Sequence, residues 1–205
     1  MYAPAHFALS ESQAWDVVAE AAAGYLVVAS ASGLRSVFAP VLADPVAGTL
    51  RAHVARANPW WRDAGEGDEV VGLFQLAQAY VSPSLYPGKA EDPAVVPTWD
   101  YVQVEARGTA RIHDDPAFVE GVVRALTAQM ESRRSAPWSI DDAPRAYVEK
   151  LRRAIVGVEV VDVRVDGAAK LSQNKAERDR DGVRGSFAGG SLGERLVADQ
   201  MERGW

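Results

Sequence analysis

The hydrophobic positions of this chain change period several times, and each change marks a predicted element. Ser10-Glu11-Ser12-Gln13 has capping-box spacing, and Trp15, Val18, Ala19 and Ala22 then recur at helical period until Gly24 ends the run. Four short β-rich runs follow, at residues 25–29, 37–42, 49–54 and 70–76. Turn chemistry separates them, carried by Ser32-Gly33, Asp44-Pro45, Gly48 and Gly65-Glu66-Gly67-Asp68. The clearest strand is residues 102–112. There Val102, Val104, Ala106, Gly108, Ala110 and Ile112 alternate with Gln103, Glu105, Arg107, Thr109 and Arg111, a period of two with one wet face.

Asp115-Pro116 then predicts a helix start with proline at its favoured first position, followed by an apolar stripe of Val119, Val122, Val123, Leu126 and Met130. A second helix is predicted around residues 145–153 from Tyr147, Val148 and Leu151. Residues 156–165 alternate as a strand but change phase, and a bulge near Val160-Val161 reconciles the halves. Ser191-Leu192-Gly193-Glu194 is a further capping box, before an amphipathic helix. Helices and strands do not alternate, which argues against a doubly wound βαβ fold. The expected class is α+β: six or seven mainly antiparallel strands closing a small barrel, with peripheral helices. No linker divides the chain, so one domain over residues 1–205 is expected, with a helical extension from about residue 175.

Composition narrows the function. The 205 residues are 48% hydrophobic and 24% charged, as in globular chains. No apolar run reaches the ~18 residues of a membrane span, and the first ten residues lack the basic-then-apolar pattern of a signal peptide. A soluble, cytoplasmic protein is expected. Absence of cysteine removes disulfides, thiolate metal sites and cysteine nucleophiles. A formal charge of −6 runs against a protein that tracks phosphates, so any direct DNA binding is expected to be weak and salt-dependent. The three histidines form no HxH or HExxH pattern, and no G-x-S-x-G surrounds Ser82 or Ser84.

Three segments carry candidate chemistry. In the first, residues 53–61, Asn58-Pro59 resembles a helix start beside Arg56, where free N–H groups and a guanidinium can converge on an anion; the plain alternative is a capped turn with packing tryptophans. The second, residues 80–101, contains Ser82, Ser84, Tyr86, Lys89, Thr98, Trp99 and Tyr101 within a connection stiffened by four prolines. It offers hydroxyls, a scarce lysine and rings, or else a braced cover over a sheet. The third is Lys170-Leu171-Ser172-Gln173-Asn174-Lys175. Its amide, hydroxyl and ammonium donors suit phosphate or ribityl groups; alternatively, Asn174 with Glu177 caps a helix.

Together, "HVARANPWW", "AYVSPSLYPGK", "VPTWDYVQV" and "KLSQNK", in this order, resemble the PaiB-type FMN-binding negative transcriptional regulators. The likeness extends over nearly the whole chain. It implies an FMN-binding split β-barrel, a homodimer with FMN near the subunit interface, and a role in repressing sporulation and degradative-enzyme genes. By the same resemblance Arg56 and Asn58 contact phosphate, with Lys89 as a second cation. Ser82, Ser84 and Tyr86 line the site, Thr98, Trp99 and Tyr101 face or support the isoalloxazine, and Lys170, Ser172, Gln173 and Asn174 contribute from the C-terminal motif. Two positions depart from the family: Leu85 replaces a usual Trp, and Asp100 a usual Asn, bringing a carboxylate that disfavours phosphate if it faces the site. Two other functions compete with the flavin-binding regulator. One is a flavin-dependent oxidoreductase of FMN-reductase type on the same fold, its chemistry supplied by the cofactor. The other is a haem-binding protein with His6, His53 or His113 as axial ligand.

Overall fold

A computed structural model describes residues 1–30 and 33–205. Ser32 of the predicted Ser32-Gly33 turn lies outside the described residues. Six strands are found among them: β1 (Ala23–Ser30), β2 (Gly33–Asp44), β3 (Thr49–Ala55), β4 (Glu69–Val81), β5 (Thr98–His113) and β6 (Ile155–Lys170). They are hydrogen-bonded in the closed order β1-β2-β3-β6-β5-β4, which leaves no unpaired edge to template aggregation. The helices are α1 (Glu11–Ala21), α2 (Trp60–Asp63), α3 (Pro116–Glu131), α4 (Arg145–Arg152), α5 (Glu177–Ala188) and α6 (Leu192–Arg203). This is the α+β barrel that the periodicities predict.

The described chain divides into two compact units. The first comprises Met1–Ala21, Phe74–Glu105 and Val165–Trp205; the second comprises Ala22–Leu73 and Ala106–Arg164. In the first, α1 buries Ala14, Trp15, Val17 and Val18, α5 buries Val183 and Phe187, and α6 buries Val197, Ala198 and Met201. In the second, alternate residues of β1 to β3, among them Leu26, Val28, Val41, Leu50 and Val54, share a core with Val119, Val122 and Leu126 of α3.

Most of the predicted ends are present. The Ser10 hydroxyl accepts from the Gln13 amide at 3.3 Å, while the Gln13 side chain accepts from the Ser10 amide at 2.9 Å. Asp115 accepts from the Ala117 and Phe118 amides, and Ser191 with Glu194 closes a reciprocal box. Two ends differ from expectation. The first helix stops at Ala21, because Ala22 turns left-handed (φ 55°) and its carbonyl accepts from the Val41 amide, while Gly24 pairs with Ala39 inside β1. Asn174 does not cap α5; Ala176 stands at the cap with no side-chain bond. The phase change in β6 is real: Val158, Val160, Val161 and Val163 are buried, and exposed Asp162 takes φ 53°, a conformation Asp tolerates better than most residues.

The connection after β4 is ordered by short 3₁₀ turns at Pro83–Leu85 and Pro87–Ala90. It is clamped to α5. The Gly88 amide donates to Asp179 at 2.7 Å, Arg178 pairs with Glu91, and Gly182 lies so close that a Cβ there would collide with the Leu85 carbonyl oxygen.

Candidate functional site

In the first unit, the second and third motif segments meet at Asp100. Thr98, Asp100 and Val102 share one face of β5, and Trp99 and Tyr101 share the other, as strand alternation requires. The Asp100 carboxylate is fully buried and turned inward. The ammonium of Lys170, at the end of β6, lies 3.2 Å from it and also donates to the Thr98 hydroxyl (2.9 Å) and the Trp99 carbonyl (2.6 Å). The Ser172 hydroxyl donates to the other Asp100 oxygen at 2.6 Å, from a left-handed backbone (φ 59°). Burial pushes the Asp100 carboxyl above its ordinary range, and Ser172 and Lys170 oppose that shift.

Tyr86 adjoins this network. Its ring is buried beneath the Lys175 ammonium, 5.0 Å from the ring centre, and burial followed by the Asp100 charge pushes its phenol up. The Tyr86 hydroxyl makes no hydrogen bond of good geometry among the described residues. On the outward side, Trp99 and Tyr80 of β4 are about half exposed, their rings edge-on at 6.2 Å. The other motif residues of this unit are placed more loosely. The Ser82 and Ser84 hydroxyls bond to each other at 2.8 Å, and Gln173 folds back onto the Leu171 amide and Ala169 carbonyl. Lys89 and Asn174 are exposed, and Tyr101 is half-buried.

Arg56 and Asn58 belong to the second unit. Asn58 accepts from the Trp60 amide at 3.0 Å but is not the helix cap as expected: Pro59 stands there without a side-chain bond, and the helix is a single turn, too short to sum peptide dipoles into an anion site. Arg56 faces elsewhere. It grips both oxygens of Asp114 and donates to the Arg153 and Ile155 carbonyls, and this pairing holds the Asp114 carboxyl below its usual range. Of the histidines, His113 stacks on Phe118 and bonds to Glu159, and His6 lies against Phe7. His53 is largely buried, and its Nδ1 is without a hydrogen-bond partner among the described residues.

Residues 1–164 match the family described as "Putative FMN-binding domain". The chain belongs to this FMN-binding family. An uncharacterized protein of Emericella nidulans is 34% identical over 185 aligned positions, covering 77% of this chain and 74% of its own length. Protease synthase and sporulation protein PAI 2 of Bacillus subtilis is 31% identical over 130 positions, 63% of this chain and 60% of that protein. A solved conserved hypothetical protein of Mycobacterium tuberculosis superposes with a TM-score of 0.58 at 14% identity, over 86% of this chain and 95% of its own. The FAD and heme binding protein of Mycobacterium smegmatis gives 0.57 at 16% identity, over 90% and 80%. The fold is thus the split β-barrel of FMN-binding proteins, and FMN is the cofactor that membership assigns by resemblance. The family match ends at residue 164, before the Lys170–Asn174 motif.

Sequence reasoning left Tyr80 and Asp179 out of the candidate residues. Tyr80 had a usable sign, since it alternates with buried Ala79 and Val81 and must face outward. Asp179 had none, because its partner Gly88 lies 91 positions away.

Proposed function

We propose that this chain is a cytoplasmic, homodimeric FMN-binding regulator of the PaiB type. The observation that carries the placement of the flavin is the outward aromatic pair Tyr80–Trp99 on strands anchored from within by Lys170 and Asp100. A flat heteroaromatic ring needs such an apolar ledge with polar groups at its margin. Trp99 and Tyr101 would face the ring system, Lys89 and Asn174 offer exposed donors for ribityl or phosphate oxygens, and Lys170 holds the strand ends in place. Bound flavin would supply redox chemistry or a redox-sensing group.

For Arg56 to hold an anion it would have to exchange Asp114 for it. That pair is solvent-exposed, and exposed ion pairs are weak enough to exchange. The similarity to a protein named for protease synthase and sporulation supports a regulatory use, and the net charge of −6 favours action through a partner protein over direct reading of DNA. Absorption spectra during FMN titration test the reading. Saturable uptake is expected, and Trp99→Ala, which removes an exposed ring, should weaken it about tenfold, ~1.4 kcal/mol. Unchanged affinity in that variant removes the flavin from this ledge; no uptake by the wild type ends the flavin reading itself.

A further inference from the structure

The second unit also holds a cavity of about 490 Å³ that shares no residue with the candidate flavin set. Sites for small organic ligands occupy roughly 300–1,000 Å³, so the size suits one compact molecule. Its walls are aliphatic, from Val123 of α3, Ile140, and Val148 and Leu151 of α4. Trp138 and Tyr147 also line it, yet they stay 47% and 56% exposed, a large aromatic area left uncovered. Polar groups are few. Arg152 also lines it: its charge is paired with Glu120, which leaves an uncharged molecule the better match, while its buried Nε has no hydrogen-bond partner among the described residues and is a further N–H donor. The Thr127 hydroxyl and the His53 imidazole remain.

His53 sets the polarity of the site. Burial holds its imidazole below the ordinary value of 6.5, so the ring is neutral at neutral pH. A neutral imidazole carries its proton on one nitrogen only. Nδ1 is sealed in the wall without a partner, and a buried N–H with no acceptor is costly, which directs the proton to Nε2. The ring therefore offers a neutral donor in a mostly apolar cavity that is open to solvent on the side of Trp138 and Tyr147. A peptide is a poor occupant, because its backbone would leave several polar groups unmatched against these walls.

We propose that this cavity binds a small, uncharged, planar aromatic molecule carrying a hydrogen-bond acceptor, its ring against Trp138 and Tyr147 and its acceptor on His53. The inference does not depend on whether FMN binds at the Tyr80–Trp99 ledge.

Coumarin, an uncharged bicyclic lactone, is a suitable probe, read by calorimetry and by quenching of tryptophan fluorescence. Wild-type protein should bind it saturably with one site per chain. Ala143→Trp, which fills the cavity, and His53→Phe, which keeps the ring but removes the donor, should each weaken binding about tenfold or more. Should either variant fail to fold, Tyr147→Ala, at an exposed position, gives the same reading. Four results would overturn the proposal: no saturable binding up to the solubility limit; equal affinity in the folded variants; one-for-one displacement of coumarin by FMN, which makes the cavity the flavin site; or a Soret band on adding haemin that His53→Phe abolishes, which makes it an iron-porphyrin site.

Discussion

Asp100 shows what one residue contributes to this protein and what it costs. Its carboxylate is held in the interior by Lys170 and Ser172, so removing either partner would strand a buried charge. Because burial raises its folded pKa above the unfolded value near 3.8, the folded state keeps this proton to higher pH than the unfolded chain does. Its contribution is therefore complete below 3.8 and diminishes as pH rises toward the raised folded value. Asp100→Asn cannot ionise. The melting temperature of this variant relative to wild type should climb across the acidic range above 3.8, measured at matched ionic strength. A pH-independent difference would show that Asp100 titrates normally in the folded state. Arg56 makes the opposite case, a cation satisfied at the surface. Asp114→Asn should loosen that grip and tighten FMN binding if Arg56 exchanges onto phosphate, with unchanged affinity assigning Arg56 to a purely structural role.

At the scale of elements, α5 holds the connection after β4 through close approach. Gly182→Ala pits two effects against each other on that helix. Alanine favours helix over glycine by about 1 kcal/mol, but its Cβ would collide with the Leu85 carbonyl oxygen and meet Pro87 at 2.7 Å. Overpacking of this kind costs roughly 1–3 kcal/mol, and backbone oxygen cannot move aside as a flexible side chain can. The clash should win. Gly185 on the same helix has nothing within 4 Å of the point where a Cβ would stand, so Gly185→Ala isolates the propensity gain. Thermal melts should show Gly182→Ala below wild type and Gly185→Ala above it. Both variants shifting upward would mean the clamp is slack.

At the scale of the whole molecule, the outward face of β1, β2 and β4 in the second unit is strongly apolar. Tyr25 stands opposite Phe38 on one side and Leu73 on the other, the two rings meet edge-on at 5.3 Å, and Phe38 is 62% exposed. Cross-strand aromatic and aliphatic neighbours left open to water form the kind of patch that a second copy covers. A homodimer through this face is the expected assembly. Phe38→Glu should shift sedimentation velocity profiles toward monomer, and FMN should stabilise the wild-type dimer by mass action if both subunits build the flavin site. A wild-type monomer at micromolar concentration that binds FMN undiminished would separate cofactor binding from assembly.

Local pattern alone determined the strands, the α+β class and the phase change in β6 from hydrophobic period, and three of the helix starts from capping signals, because those depend on neighbours a few residues apart. Even the inward turn of Asp100 was present in the sequence, since it shares parity with Val102 and Val104 on β5. The order in which strands close, the pairing of Lys170 with Asp100 across 70 positions, and the capture of Arg56 by Asp114 across 58 came only with tertiary structure. A motif shows which donors are available, but which of them are already consumed depends on side chains that folding brings from far along the chain. The cavity beside His53 has the same origin. Its walls come from β3, α3, α4, the segment between those helices and Ile155 at the start of β6, and no local pattern records the space left where these elements fail to fill it.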